Sequence, residues 1–154
     1  MDFLQSCDDL SNVTLYDSII PCTNGRHFRP DVLYALDDRW VILEIDENEH
    51  KFNSPVCEYD RLNELRDQLQ QHDSDKYMII VRYNPNEPYK SLRDKHVALS
   101  RELREAFTTS SMVHDERGLT LRYIGYSKKR LRDIEDDVLD RYYSEFKTQY
   151  VYSN

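Results

Sequence analysis

The chain has little glycine and proline and no long apolar run, and each shortage excludes a class of protein. Its 154 residues include 3 Gly and 5 Pro, which excludes collagen-like repeats and Gly- or Pro-rich low-complexity chains. No apolar stretch approaches the ~20 residues of a membrane-spanning helix, and the mean hydropathy is −0.82. The amino-terminal residues lack the basic and apolar regions of a secretory signal. We expect an intracellular, soluble protein without a membrane partner.

Cysteine is also scarce, and basic residues are outnumbered by acidic ones. The three cysteines, Cys7, Cys22 and Cys57, are odd in number and irregularly spaced, which predicts reduced thiols rather than a disulfide framework. Cys22, His27 and Cys57 could form part of a zinc site, but no CxxC pair is present, so no zinc ligand is assigned. The 21 Lys and Arg against 29 Asp and Glu give a net charge of −8. This charge argues against binding nucleic acid with the whole surface.

The apolar pattern predicts a single α/β domain over residues 1–154, with polar, unpatterned residues 1–12 expected to be flexible. The residues are 39% hydrophobic and 12% aromatic, enough for a folded core. The predicted elements are an edge strand near 13–20, hairpin strands 32–36 and 40–46, strands 77–83 and 119–126, and helices 57–71, 92–107 and 127–146. This order predicts a mixed β-sheet flanked by helices. Ser127 is the predicted N-cap of the last helix.

Acidic residues interrupt the most apolar strand of the predicted sheet. Glu44 and Asp46 are two residues apart at its end, so their carboxylates lie on one face, and Asp31 at the start of the paired strand can lie across from them. Carboxylates that converge beside a buried strand either take up protons or hold a divalent cation. Hard oxygen ligands favour Mg²⁺. His50 follows four residues after Asp46 and could act as a general base or acid.

Four motifs carry a resemblance to a known family. They are Arg29-Pro30-Asp31, VILEIDENEH over 41–50, CEYDR over 57–61 and IVRYNP over 80–85. Together they resemble the PD-(D/E)XK nuclease superfamily, in the branch of very short patch repair endonucleases and related homing endonucleases. The resemblance covers residues 29–85 best and extends loosely to the later YIGY strand. It implies a restriction-endonuclease-like fold.

The resemblance also implies roles for four residues. Asp31 and Glu44 correspond to the metal-binding acids of the family, with Mg²⁺ as the cofactor and Mn²⁺ as an alternative. Asp46 stands where the wider superfamily has a lysine, matches the ExD variant of this branch, and is assigned as a catalytic and metal-binding residue. His50 corresponds to the catalytic histidine of the branch. We expect Asp31, Glu44, Asp46 and His50 to form the catalytic site.

A basic segment near the carboxyl end is the best place for contact with DNA phosphates. Residues 116–132 hold six Lys and Arg and one acid, and clustered cations drive binding through counterion release. An alternative interpretation is a solvated helix start. The residues assigned to DNA binding are Arg29, Lys51, Arg61, Arg82, Lys128, Lys129 and Arg130.

Two functions remain in competition at this point. The first is a Mg²⁺-dependent DNA endonuclease that hydrolyses phosphodiester bonds. The second is a catalytically inactive nuclease-fold module that binds DNA or protein, consistent with the negative net charge and with the absence of Glu from residues 1–28, where many relatives carry a metal-linked Glu. In either case a protein partner or a second copy of the chain could supply part of the DNA-binding surface.

Overall fold

A computed structural model describes residues 15–16, 20–21, 27–50, 54–86, 91–108, 119–142 and 148–150. Its side chains are described over 29–48, 54–86, 91–108 and 119–136. The predicted flexible segment 1–12 lies outside these residues.

The described strands form a mixed sheet of six strands and a separate pair. The sheet contains β1 (Leu15–Tyr16), β4 (Val32–Ala35), β5 (Arg39–Ile45), β6 (Tyr77–Tyr83), β7 (Leu119–Ile124) and β8 (Thr148–Tyr150), in the order β1-β4-β5-β6-β7-β8. Strands β2 (Ile20–Pro21) and β3 (His27–Phe28) form the pair. β1, β4 and β5 are antiparallel neighbours, whereas β5, β6, β7 and β8 run parallel. The predicted mixed α/β architecture is confirmed.

Three α-helices and one 3-10 helix are described. They are α1 (Pro55–His72), α2 (Leu92–Thr108), α3 (Lys128–Tyr142) and the 3-10 helix Glu47–His50. The Ser54 hydroxyl accepts a hydrogen bond from the Cys57 N–H at the start of α1, at 3.5 Å, and Ser127 caps α3 in the same way through the Arg130 N–H at 3.2 Å. The predicted start of the last helix is therefore confirmed. Within the described ranges, no helix combines the length and apolarity needed to cross a membrane.

The sheet is covered on both faces, which explains the unbroken apolar run of β5. Side chains alternate along a strand, so Ile42 contributes to one core and Val41 and Leu43 to the other. The first core includes Leu62 of α1 and Leu131 of α3, and the second is covered by α2. The prediction that this strand is central is confirmed.

The carboxyl ends of β5, β6 and β7 meet at one edge of the sheet, because parallel strands end on the same side. Backbone bonds tie them together beyond the strands: the Asp46 N–H donates to the Tyr83 carbonyl at 2.8 Å, and the Asn84 N–H to the Ile124 carbonyl at 2.9 Å. Ligand sites of open α/β sheets lie at this edge.

Candidate functional site

Asp31 and Glu44 come together at the end of the β4–β5 hairpin, as the sequence predicts. Val32 is paired with Leu43, so the next step along the hairpin brings Asp31 across from Glu44. Asp31 Oδ2 accepts a hydrogen bond from the Ile45 N–H at 2.7 Å. The two carboxylates differ in exposure, because the Glu44 side chain is only 7% exposed while Asp31 lies at the surface.

The electrostatic environment of Glu44 opposes its ionisation. Burial raises the pKa of Glu44 to about 7; the charge of Arg61 opposes this shift, and those of Asp31 and Asp46 reinforce it. Glu44 Oε2 accepts from the Arg61 guanidinium at 3.2 Å. The other oxygen, Oε1, is buried and has no hydrogen-bond partner among the described residues. Glu44 is thus a buried acid whose Oε1 atom can accept a further ligand.

Asp46 has a different environment from the one its predicted ligand role requires. Its side chain is 0% exposed, and Oδ2 accepts from both Arg82 Nε at 2.5 Å and the Tyr126 hydroxyl at 2.5 Å. The Arg82 guanidinium also donates to Glu58 Oε2 at 2.7 Å. An aspartate neutralised by a buried arginine holds strands and loops in place, which favours a positioning role for Asp46. Its assignment as a metal ligand stays a prediction.

Two arginines predicted to lie near DNA are in the protein interior. Arg82 is 4% exposed and spans Asp46 and Glu58, so it cannot reach a phosphate on the surface. Arg122, part of the predicted basic segment, is 6% exposed and pairs with Glu102 at 2.8 Å and Glu105 at 3.0 Å. Arg82 is therefore not placed to bind DNA in this structure. Of the predicted basic segment, the exposed cations that the structure describes lie at the start of α3, and Arg117 lies outside the described residues.

The turn that carries His50 is held by a series of amide hydrogen bonds. The N–H of Asn48, whose φ is 56°, donates to Asn86 Oδ1 at 3.1 Å. Asn86 N–H in turn donates to Asn84 Oδ1 at 3.0 Å, and Asn84 Nδ2 to the Gly125 carbonyl at 2.8 Å. The loops after β5, β6 and β7 are thereby linked. The side chain of His50, and Lys51 as a whole, lie outside the described residues.

Several exposed cations border this edge of the sheet. Arg61 reaches Glu44 from α1 with a side chain that is 43% exposed, and Arg29 is exposed two residues before Asp31. Lys128 and Lys129 are exposed and Arg130 is half-buried at the start of α3, directly after the loop through which Tyr126 contacts Asp46. Of the predicted DNA-binding set, Arg61 contacts the acidic pair, and Arg29 precedes it by two residues in the sequence.

No family model, curated protein or solved structure matches this chain. The resemblance to PD-(D/E)XK nucleases therefore stays a prediction that depends on the motifs and on the arrangement of the residues.

Sequence reasoning missed Tyr126, Glu58, Asn84 and Asn86. Each acts through another residue: Tyr126 and Glu58 hold Asp46 and Arg82, and the two asparagines hold the His50 turn. Three of them lie inside or beside the recognised CEYDR and RYNP motifs, and Tyr126 ends the YIGY segment. Their position in these motifs was the available signal.

The acidic pair supplies the one or two carboxylates through which Mg²⁺ commonly binds. Over the described residues, no group of three His, Cys, Asp or Glu side chains is placed to hold a metal. Mg²⁺, however, commonly binds through one or two carboxylates and fills its remaining positions with water and phosphate oxygens. Asp31 and Glu44 Oε1, which has no hydrogen-bond partner in the part of the chain that the structure describes, supply two such oxygens. Cys57, considered for zinc, is an exposed free thiol, and Cys22 lies outside the described residues.

Proposed function

We propose that the chain is a Mg²⁺-dependent endonuclease that hydrolyses phosphodiester bonds in DNA. The observation that carries the proposal is the Asp31–Glu44 pair at the carboxyl edge of the sheet. Glu44 is buried beside a second carboxylate, its pKa is raised to about 7 and one oxygen lacks a hydrogen bond among the described residues. A divalent cation would both neutralise the pair and satisfy that oxygen.

The proposed chemistry divides between the cation and the chain. When bound, the cation stabilises negative charge on the phosphate and makes water a better nucleophile. Asp31 and Glu44 hold it, and Asp46 keeps the end of β5 in position through Arg82 and Tyr126. His50 transfers a proton to or from the reacting oxygens.

Positive charge for the substrate comes from the exposed cations at the same edge. Arg61, Lys128 and Lys129 are the proposed contacts to flanking phosphates, because Arg61 lies beside Glu44 and all three side chains are exposed. They offset locally the repulsion that a chain of net charge −8 exerts on DNA.

An inactive nuclease-fold module is the second candidate, and the environment of Asp46 favours it. With Asp46 Oδ2 engaged by Arg82 and Tyr126, the acidic ligand set shrinks to two side chains. Such a module would bind DNA or a protein partner through the same edge of the sheet without cleaving a phosphodiester bond.

Nicking of supercoiled plasmid with Mg²⁺, Mn²⁺ or EDTA separates the two candidates. We expect nicking only with a divalent cation, and its loss in Asp31→Asn and Glu44→Gln with an unchanged circular dichroism spectrum. Asp75→Asn is the matched control, because this exposed aspartate lies in the turn before β6, at the opposite edge of the sheet. Full activity of both site variants, or activity in EDTA, would contradict the proposal.

A further inference from the structure

Arg61 binds one oxygen of the carboxylate whose other oxygen the proposed cation would use. Its guanidinium donates to Glu44 Oε2 at 3.2 Å, and its charge opposes the effect of burial on Glu44. A guanidinium and a divalent cation both neutralise a carboxylate. At the Asp31–Glu44 pair, Arg61 and the cation therefore compete for the same negative charge.

Arg61 has room to leave this position, unlike the other arginine near Glu44. The Arg61 side chain is 43% exposed, whereas that of Arg82 is 5% exposed. A half-exposed guanidinium can turn into solvent without leaving a charge buried in the protein interior. The planar guanidinium also matches the geometry of a phosphate group.

We propose that a divalent cation displaces Arg61 from Glu44, and that the released guanidinium binds a DNA phosphate beside the cation. This inference rests on the proposed function, because it uses the same Asp31–Glu44 site. It makes Arg61 the residue that couples the two ligands. Because coupling between binding sites is reciprocal, DNA must strengthen cation binding by the same factor by which the cation strengthens DNA binding.

Cation affinity without DNA tests the first half of the exchange. Mn²⁺ binding is measured by electron paramagnetic resonance for wild type, Arg61→Met and Arg61→Lys. Removing the competing guanidinium should strengthen Mn²⁺ binding about three- to tenfold, while Arg61→Lys, which keeps the charge, should stay close to wild type. Arg93→Met is the matched control, because this exposed arginine belongs to α2, on the opposite face of the sheet, and its loss changes the net charge equally.

Duplex affinity tests the second half. Anisotropy of a labelled duplex is measured with and without Ca²⁺, which binds in place of Mg²⁺ without supporting cleavage. We expect Ca²⁺ to strengthen duplex binding in wild type and in Arg93→Met, and to do so about three- to tenfold less in Arg61→Met.

The outcomes separate the exchange from the function on which it rests. If wild type binds Mn²⁺ no better than Glu44→Gln, the proposed metal site is wrong and the exchange falls with it. If wild type binds Mn²⁺ but Arg61→Met matches Arg93→Met, the site stands and the exchange alone is overturned. An equal Ca²⁺ effect on duplex affinity in Arg61→Met and wild type also overturns the exchange.

Discussion

Three carboxylates from one short stretch of sequence reach three different environments. Asp31 is exposed and accepts a hydrogen bond from a backbone N–H. Glu44 is buried beside the half-exposed side chain of Arg61, and Asp46 is enclosed by Arg82 and Tyr126. What distinguishes them is the partner that each one meets, because a buried carboxylate stays charged only where a cation or several donors stabilise it.

Glu44 should make the protein less stable as the pH rises. Its pKa is raised from 4.5 to about 7, so between these values the folded chain binds more protons than the unfolded chain. The free energy of unfolding therefore falls through this range and levels off above it, by roughly 2–4 kcal/mol in total. Glu44→Gln should remove this slope, so that in EDTA it is more stable than wild type at pH 8 but not at pH 4.

Urea unfolding in EDTA at several pH values measures this effect. Asp75→Asn serves as the control, because its carboxylate is exposed and should leave the slope unchanged. An equal pH slope in Glu44→Gln and wild type would show that Glu44 is not the titrating group.

Residue patterns predicted the acidic pair but not the partners of Asp46. The period of two along a strand and the hairpin register are local rules, and they suffice to place Asp31 across from Glu44. Arg82 lies 36 residues from Asp46 and Tyr126 lies 80 residues away. Strand order and helix placement decide which distant charged residue pairs with a buried one. Local sequence patterns do not reveal this order or placement.

At the scale of elements, β6 joins β5 to α1 through one buried side chain. Arg82 extends from β6 to Asp46 at the end of β5 and to Glu58 in the first turn of α1. These contacts fix the helix that carries Arg61 relative to the strand that carries Glu44. The geometry of the candidate site therefore depends on a buried ion pair behind the two proposed ligands.

Arg82→Met should lower the free energy of unfolding by about 3–5 kcal/mol, because it leaves the buried Asp46 without its cation. The double variant Arg82→Met with Asp46→Asn should recover part of this loss, since the uncompensated charge is removed as well. Denaturant unfolding of the two single variants and the double variant measures the coupling. Strictly additive losses would show that the two side chains do not stabilise each other.

Long apolar runs predicted the central elements, and the predicted edge strand near 13–20 contains β1, whereas β3 and β8 were not predicted. β5 and β6 were recognisable because burial on both faces demands continuous apolar residues. β8 has only the three residues Thr148–Tyr150, and its pairing with β7 is a tertiary contact without a sequence pattern. The last helix is described as far as Tyr142, and the predicted end near Phe146 lies outside the described residues.

At the scale of the whole molecule, the candidate site lies on one face of the sheet and α2 packs on the other. Glu44, Asp46 and Arg82 share the face covered by α1 and α3, and the exposed start of α3 adds Lys128 and Lys129 at the same edge. α2 covers the other face. A chain of net charge −8 can thus bring exposed cations to the edge of the sheet that carries the acidic pair.

Replacing Lys128, Lys129 and Arg130 by Ala should weaken binding to all duplex sequences alike. The slope of log K against log salt should fall by about 2–3, because each lost phosphate contact removes ~0.9. Duplex affinity at several salt concentrations in Ca²⁺ measures the slope. Replacement of Arg93, Arg101 and Arg104, exposed on α2, is the matched control. An equal change of the salt slope in both triple variants would show that the start of α3 is a solvated helix end without a specific role in DNA binding.

The buried pair of Asp46 and Arg82 also sets an order of events during synthesis. A ribosome delivers Asp46 36 residues before Arg82 and 80 residues before Tyr126. Enclosing a lone carboxylate among apolar neighbours costs several kcal/mol. The end of β5 should therefore stay exposed to solvent until β6, which carries Arg82, has been synthesised. On the proposed function, an unfinished nascent chain carries the acidic residues without the geometry that cleavage requires, and nuclease activity begins only when the third parallel strand has been made.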